Sequence, residues 1–243
     1  VPYYPRPRLI DYLAGKITLG DLPQYDLGWY QNQGIDLQLG QAVIRLDIAA
    51  KQITLQNDSN IPFDALVLAT GALPWVPPVK GIEKKGVYTL RTLQDAVALK
   101  EAAESGASFV ILGGGLLGLD AAMALQACGA MVTVIEALPW LLPRQLDREG
   151  AALLQQSIES RGVKVITGDP CASIEGDSHV RGVTLQSGTK LQADVLLTAT
   201  GIRSKTELAS AAGLACQRGI IVNERMETSA PNVYAVGDAA EFN

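Results

Sequence analysis

Short β-branched apolar runs alternate along this chain with longer segments whose apolar positions recur every three or four residues. Glycine or proline marks most changes of pattern. Val1 to Pro7 is proline-rich and extended, ahead of a short helix expected around Leu9 to Ala14. From Asp36 to Leu68 the alternation predicts three short strands, with turns at Gly40-Gln41 and Asn57-Asp58. Leu73 to Pro78 can continue neither a helix nor a central strand and reads as a connector. Thr92 is placed to cap a helix over Leu93 to Glu104, with Asp95 in its first turn and Gly106 ending it. A strand over Phe109 to Leu112, a helix ending at Gly129 and a strand over Met131 to Ile135 follow. After a connector at Leu138 to Pro143 come a helix from Arg148 to Arg161, a strand from Val163 to Thr167 and a second β set from Ala172 to Ala199. The stretch Gly219 to Ser229 carries a β run. Asn232 to Glu241 reads as a buried strand ending in Gly237-Asp238 at a helix start, where an aspartate can cap the helix or accept hydrogen bonds from ligand hydroxyls.

The second β set repeats the first. ITLQNDSNIPFDALVLATG from Ile53 aligns without gaps to VTLQSGTKLQADVLLTATG from Val183, an offset of 183 − 53 = 130. Eight of the 19 positions are identical, and both segments close with Ala-Thr-Gly. Average composition would give about one match, so the chain is read as two related nucleotide-binding units. The counterpart of Gly113 would fall at 113 − 130 = −17, ahead of Val1, so the chain is expected to be a fragment whose first unit lacks its opening strand, glycine turn and helix.

Between Phe109 and Glu136 the order is strand, glycine turn, helix, strand, acid. Gly113 permits the tight turn, Gly115 removes the Cβ that would block a diphosphate, and Gly118 lets the helix approach the strand. Leu116 and Leu117 lie between them, and the helix N-terminus offers N–H groups and a partial positive charge. Glu136 follows Gly115 by 136 − 115 = 21 positions, where a carboxylate can accept hydrogen bonds from an adenosine ribose. A 2′-phosphate would be repelled there, and the first cation downstream is Arg144, so NADH is expected over NADPH. The plainer alternative, a glycine-rich turn serving packing alone, leaves the position of Glu136 to chance.

Composition narrows this further. An apolar content of 48% against 19% charged residues suits an α/β chain with parallel strands buried on both faces. A net charge of −5 gives no reason to expect nucleic acid, and no apolar run is long enough for a membrane span. The three cysteines, Cys128, Cys171 and Cys216, are scattered without metal-ligand spacing, which suits a reduced cytoplasm. His179, the single histidine, lies in a polar stretch expected to be a solvated turn.

Four motifs together make the chain resemble the FAD-dependent pyridine-nucleotide oxidoreductases, in the section with NADH:rubredoxin reductase and the flavin part of NADH nitrite reductase. They are Arg6-Pro7-Arg8-Leu9 with Tyr12 to Gly15, the two Ala-Thr-Gly turns, Gly113 to Gly118 with Glu136, and Tyr234 to Phe242. The resemblance implies two Rossmann-like, three-layer domains, each with a parallel sheet and a small β-meander. A discontinuous and incomplete FAD-binding domain would span residues 1–91 and 202–243, with an NADH-binding domain at 92–201 inserted in it. It further implies that Gly237 and Asp238 hold the ribityl and phosphate region of FAD, and that Arg6 and Pro7 lie near the flavin. Thr70-Gly71 would border FAD, Gly201 would border NADH, and Arg91 would sit at the crossover between the domains. Hydride would pass from NADH to FAD, and electrons onward to a redox protein such as rubredoxin; a homodimer is a further implication for the intact protein. Many relatives carry a lysine and a glutamate paired beside the flavin. Asp11 and Asp120 stand at the matching positions, so no catalytic pair is assigned. No cysteine lies near Arg6 to serve as the redox cysteine of disulfide-reducing relatives. The competing readings are a non-catalytic NADH-binding module and a single-cofactor dehydrogenase; the latter is disfavoured by the duplicated β set.

Overall fold

Leu9, Tyr12 and Leu13 share the buried face of the first helix, α1 (Arg8–Leu13), which is close to the helix expected there. The structure, a computed structural model, describes residues 2–242. Helix α2 (Leu27–Asn32) precedes an antiparallel meander of β1 (Val43–Asp47), β2 (Gln52–Leu55) and β3 (Asn60–Pro62). The last of these was not anticipated: Pro62 is tolerated because β3 is an edge strand, where a missing N–H breaks no ladder. Strand β4 (Leu66–Leu68) runs into the first Ala-Thr-Gly turn, and β5 (Ala72–Pro74) leaves it.

Strand β6 (Val87–Tyr88) leads to α3 (Leu93–Glu104), which begins with the expected cap. Thr92 Oγ1 accepts the Asp95 N–H at 3.2 Å, and the Asp95 carboxylate accepts the Thr92 N–H at 2.9 Å. Next come β7 (Ser108–Leu112), α4 (Leu116–Ala127), β8 (Met131–Glu136), α5 (Arg148–Glu159) and β9 (Lys164–Thr167). The second meander is β10 (Cys171–Glu175), β11 (Gly182–Leu185) and β12 (Lys190–Gln192), followed by β13 (Val195–Thr198) and β14 (Ile202–Ser204). Helix α6 (Glu207–Ala211), β15 (Ile220–Val222), β16 (Val233–Ala235) and β17 (Ala240–Phe242) complete the order. The helix expected to start at Gly237-Asp238 is only a 3-10 turn over Gly237–Ala239, because β17 follows at once and pairs with β15. No helix among the described residues is long and apolar enough to cross a membrane.

The chain divides into two compact units. One comprises Leu27–Leu73 with the segment from Ile202 onward, the other Pro2–Asp26 with Pro74–Gly201. The edge at 201/202 falls where a limit was expected, whereas residues 2–26 and 74–91, expected in the first domain, fall in the second unit. Residues 2–26 join the second unit because Leu9, Tyr12 and Leu13 share a core with Leu99 of α3 and Leu125 of α4. Residues 74–91 join it because β6 is a strand of its sheet.

The second unit has three layers. A parallel sheet in the order β6-β13-β7-β8-β9 forms the middle. Phe109, Ile111, Val132, Val134 and Leu197 face the core that holds α1, α3, α4 and α5. Val110, Leu112, Ile135 and Leu196 face the opposite way, onto Ile174, Val183 and Leu185 of the meander. Alternate side chains of one strand therefore serve two cores, which is why these strands are apolar throughout.

The first unit holds its own core, including Leu46, Leu68, Ile220, Val222, Val233 and Ala235. Its meander copies the other in register. Val43 pairs with Leu55 and Arg45 with Thr54 across a bulge, as Cys171 pairs with Leu185 and Ser173 with Thr184 across another. The copies differ at the parallel sheet. Strand β13 lies between β6 and β7, whereas its counterpart β4 has β16 as its one neighbour among the described strands. Val67 is accordingly 57% exposed where the aligned Leu197 is 0% exposed.

Candidate functional site

In the second unit the chain steps outward from β7 through β8 to β9, then returns to the other side of β7 as β13. The order therefore reverses between β7 and β13, and ligands of open α/β sheets bind beyond the carboxyl ends of strands at such a switch point. Gly113 to Gly118 follows β7 and Ala199-Thr200-Gly201 follows β13, so both turns lie at that place. They also touch. A Cβ on Gly113 would fall 2.5 Å from the Ala199 carbonyl oxygen, and one on Gly118 would run into the Gly113 carbonyl and come into contact with the Ala199 methyl. Gly113 has φ 114°, and together these two positions require glycine for the turn itself and for the approach of α4.

Gly115 differs from both. It is the N-cap of α4 with φ −83°, and a Cβ there would meet no protein atom within 4 Å. No packing reason for glycine exists at this residue, whereas a diphosphate approaching the helix N-terminus supplies one. Leu116 and Leu117, in the first turn of α4, are 61% and 40% exposed. The residues present thus fit a dinucleotide at this turn. Gly201, exposed with φ 119°, likewise has open space where its Cβ would be.

Glu136 closes β8 with its carboxylate turned to the same turn. Its Oε2 accepts the Gly114 N–H at 2.7 Å and its Oε1 the Leu138 N–H at 2.8 Å. The connector after β8 makes further contacts with Gly114. The Leu142 N–H donates to the Gly114 carbonyl at 3.2 Å, and a Cβ on Gly114 would fall 2.5 Å from buried Leu141 and 2.9 Å from the Glu136 Cβ. Gly114, Leu138, Leu141 and Leu142 escaped sequence reasoning, since the fingerprint leaves the position of Gly114 free. The Gly-Gly-Gly run was the only available signal.

Arg6 and Pro7 also fall in the second unit, exposed at the start of α1, where Pro7 is the N-cap and the Arg6 carbonyl accepts the Leu9 N–H at 2.9 Å. Arg91, in the same unit, donates its backbone N–H to Asp95 Oδ2 at 2.8 Å just ahead of α3. Asp11 Oδ1 lies 3.6 Å from Lys16 Nζ. Exposed Asp120 lines a groove of about 280 Å³ that also touches Leu154 of α5 and Arg161 just beyond that helix.

Thr70, Gly71, Gly237 and Asp238 belong to the first unit. Strands β4 and β16 run parallel, and the Val236 N–H donates to the Leu68 carbonyl at 3.0 Å, so both turns leave the same end of that pair. Gly71 and Gly237 have φ 70° and 67°, Gly237 and Asp238 are exposed, and a Cβ on Gly237 would meet nothing within 4 Å. This end can receive part of a nucleotide cofactor. Among the described residues the strand–glycine turn–helix cradle for a diphosphate occurs once, in the second unit.

Two units that share a meander followed by a strand and an Ala-Thr-Gly turn, one with a complete glycine turn at its switch point, define an α/β dinucleotide-binding protein of the Rossmann type. Residues 14–243 match the pyridine nucleotide-disulphide oxidoreductase family, and the chain belongs to it. It is 38% identical over 242 residues to the assimilatory nitrate reductase electron transfer subunit of Bacillus subtilis, covering 100% of this chain and 31% of that protein. It is 33% identical to rubredoxin-NAD(+) reductase of Pseudomonas putida, covering 98% of this chain and 62% of that protein. A solved covalent putidaredoxin reductase–putidaredoxin complex superposes with a TM-score of 0.94 at 32% identity, over 100% of this chain and 60% of that one. The chain thus spans about a third of one relative and under two thirds of the others. Relatives bear the names of NAD(+)- and NAD(P)H-dependent reductases, and one solved structure of similar fold is described as an FAD-dependent pyridine nucleotide-disulphide oxidoreductase.

Proposed function

We propose that this chain is the coenzyme-binding part of an NADH:acceptor oxidoreductase that takes hydride from NADH onto FAD and delivers electrons to a redox protein of the rubredoxin or ferredoxin kind. The observation that carries the reading is Gly115, the one fingerprint glycine whose missing side chain leaves space that no protein atom fills, at the switch point of a parallel sheet. In this reading the N–H groups at Gly115, Leu116 and Leu117 bind the NADH diphosphate, Glu136 accepts the adenosine ribose hydroxyls, and Gly201 lines the way to the nicotinamide. Thr70, Gly71, Gly237 and Asp238 hold FAD, with Arg6, Pro7 and Arg91 assigned to its surroundings by resemblance to the family. The two coenzymes supply hydride and electron transfer when bound. The residues of the chain bind and orient them, and no side chain is assigned as acid or base. Asp11 and Asp120 stay without a catalytic role.

Purification tests this directly. A yellow protein whose flavin colour bleaches on adding NADH is the expected outcome. A protein that shows no change of NADH fluorescence on titration would overturn it. A second reading, an NADH-binding module without flavin, draws on the single glycine cradle among the described residues and on the one-sided pairing of β4. It corresponds to a colourless protein that binds NADH.

A further inference from the structure

We infer that Glu136 is a positioning residue for the diphosphate turn as well as the acceptor for the coenzyme's adenosine ribose, an inference that rests on the dinucleotide reading above. Its two carboxylate oxygens each accept a backbone hydrogen bond: Oε2 from the Gly114 N–H at 2.7 Å, Oε1 from the Leu138 N–H at 2.8 Å. These donors lie on opposite sides of the acid in the chain, one in the glycine turn after β7, the other in the connector after β8. The carboxylate therefore ties the turn to the connector. The Leu142 N–H, donating to the Gly114 carbonyl at 3.2 Å, makes the tie a second time from the far end of the connector.

Sterics support the same conclusion. Gly114 is buried, and its Cα faces Leu141, which is fully buried, and the Glu136 Cβ. A methyl group there would fall 2.5 Å from the Leu141 Cδ2 and 2.9 Å from the Glu136 Cβ, so the acid lies as close to the turn as its backbone allows. Gly115 is the next residue. The N–H groups that meet a diphosphate thus follow directly on a residue whose N–H and C=O are both held by the 136–142 segment. Preorganised donors bind an anion more tightly than donors that must first be ordered. Each carboxylate oxygen has more than one lone-pair site, so accepting a backbone N–H leaves it able to accept a ribose hydroxyl as well.

The two roles separate with a coenzyme analogue that lacks the adenosine ribose hydroxyls. Glu136→Gln keeps the size of the side chain but turns one acceptor oxygen into an NH2 that faces a backbone N–H. Dissociation constants of the 243-residue chain for NADH and for its 2′,3′-dideoxyadenosine analogue are measured by fluorescence titration in wild type and variant. Positioning predicts that the variant weakens both ligands, each by about tenfold, the size of one lost charge-assisted hydrogen bond. It also predicts faster amide hydrogen exchange at Gly114 and Leu138 in the coenzyme-free variant, read residue by residue by NMR. A ribose role alone predicts an unchanged constant for the analogue and unchanged exchange, and that result would overturn the inference while leaving the dinucleotide reading intact. Wild type that binds neither ligand would remove both. Should Glu136→Gln not fold, Glu136→Asp, which retains the charge and withdraws it by one methylene, is read by the same measurements.

Discussion

Thr70 and Thr200, 200 − 70 = 130 residues apart, make the same hydrogen bond. Thr70 Oγ1 donates to the Lys205 carbonyl at 2.8 Å, and Thr200 Oγ1 donates to the Trp75 carbonyl at 2.7 Å. Each is answered from the acceptor residue: the Lys205 N–H donates to the Gly71 carbonyl and the Trp75 N–H to the Gly201 carbonyl, both at 2.9 Å. The Ala-Thr-Gly repeat is therefore a repeat of bonding, with each threonine fixing the end of the strand that leaves the other copy's turn. Replacing either threonine by valine keeps the shape and removes the donor. Each variant is expected to lose about 1 kcal/mol in urea unfolding, the usual size of one such bond. Two variants as stable as wild type would show that the hydroxyls are idle.

Gly115 and Gly118 make opposite predictions from one motif. Gly115→Val places its Cβ where no protein atom lies within 4 Å, so stability should change by no more than about 1 kcal/mol. Affinity for NADH should fall by about a hundredfold or more, equivalent to about 3 kcal/mol. Gly118→Ala drives a methyl into the Gly113 carbonyl and is expected to destabilise the fold by about 2 kcal/mol. Titration and urea unfolding of both variants check the contrast, which normal NADH affinity in Gly115→Val would contradict.

Glu136→Arg replaces an acceptor of two backbone N–H groups by a cation beside the expected 2′ position of the ribose. The ratio of NADPH to NADH affinity should rise by about tenfold or more. Because Gly114 and Leu138 lose their partner, affinity for NADH itself should also drop. An unchanged ratio would count against a ribose role for this residue.

Asp194 gives the acid limb of stability. Its carboxylate accepts the Ser108 N–H at 2.9 Å and the Ser108 hydroxyl at 2.7 Å, fixing the start of β7 beside the start of β13. The backbone bond first and the hydroxyl second hold this carboxyl below the usual aspartate range. Its stabilisation is therefore complete above the unfolded value near 3.8 and is lost as pH falls through the lower folded value. Asp194→Asn should flatten the decline of stability below about pH 4 in urea titrations run at stepped pH. A decline as steep as that of wild type would assign it to other carboxylates.

Much of this was legible before any coordinate. The strand–turn–helix–strand order around Gly113 has a strong local signature, because the residues that make the turn are contiguous and few types suit it. The repeat exposed both meanders, although β3, with a proline in three residues, was not among the strands expected and is explained by its edge position. Two things escaped. The helix expected at Gly237 shrank to one turn because pairing of β17 with β15, a contact distant in sequence, decides that segment. The hold of Glu136 on Gly114 was equally hidden, since the spacing that places the acid near the turn cannot tell which of its oxygens the backbone already occupies.

The exchanged acceptors limit how this protein can be dissected. Trp75 follows the first copy of the repeat by four residues (75 − 71 = 4) and answers a threonine of the second. Lys205 follows the second copy by the same four (205 − 201 = 4) and answers a threonine of the first. A gene cut between the copies would yield two polypeptides, each with a hydroxyl whose natural mate had been left on the other piece.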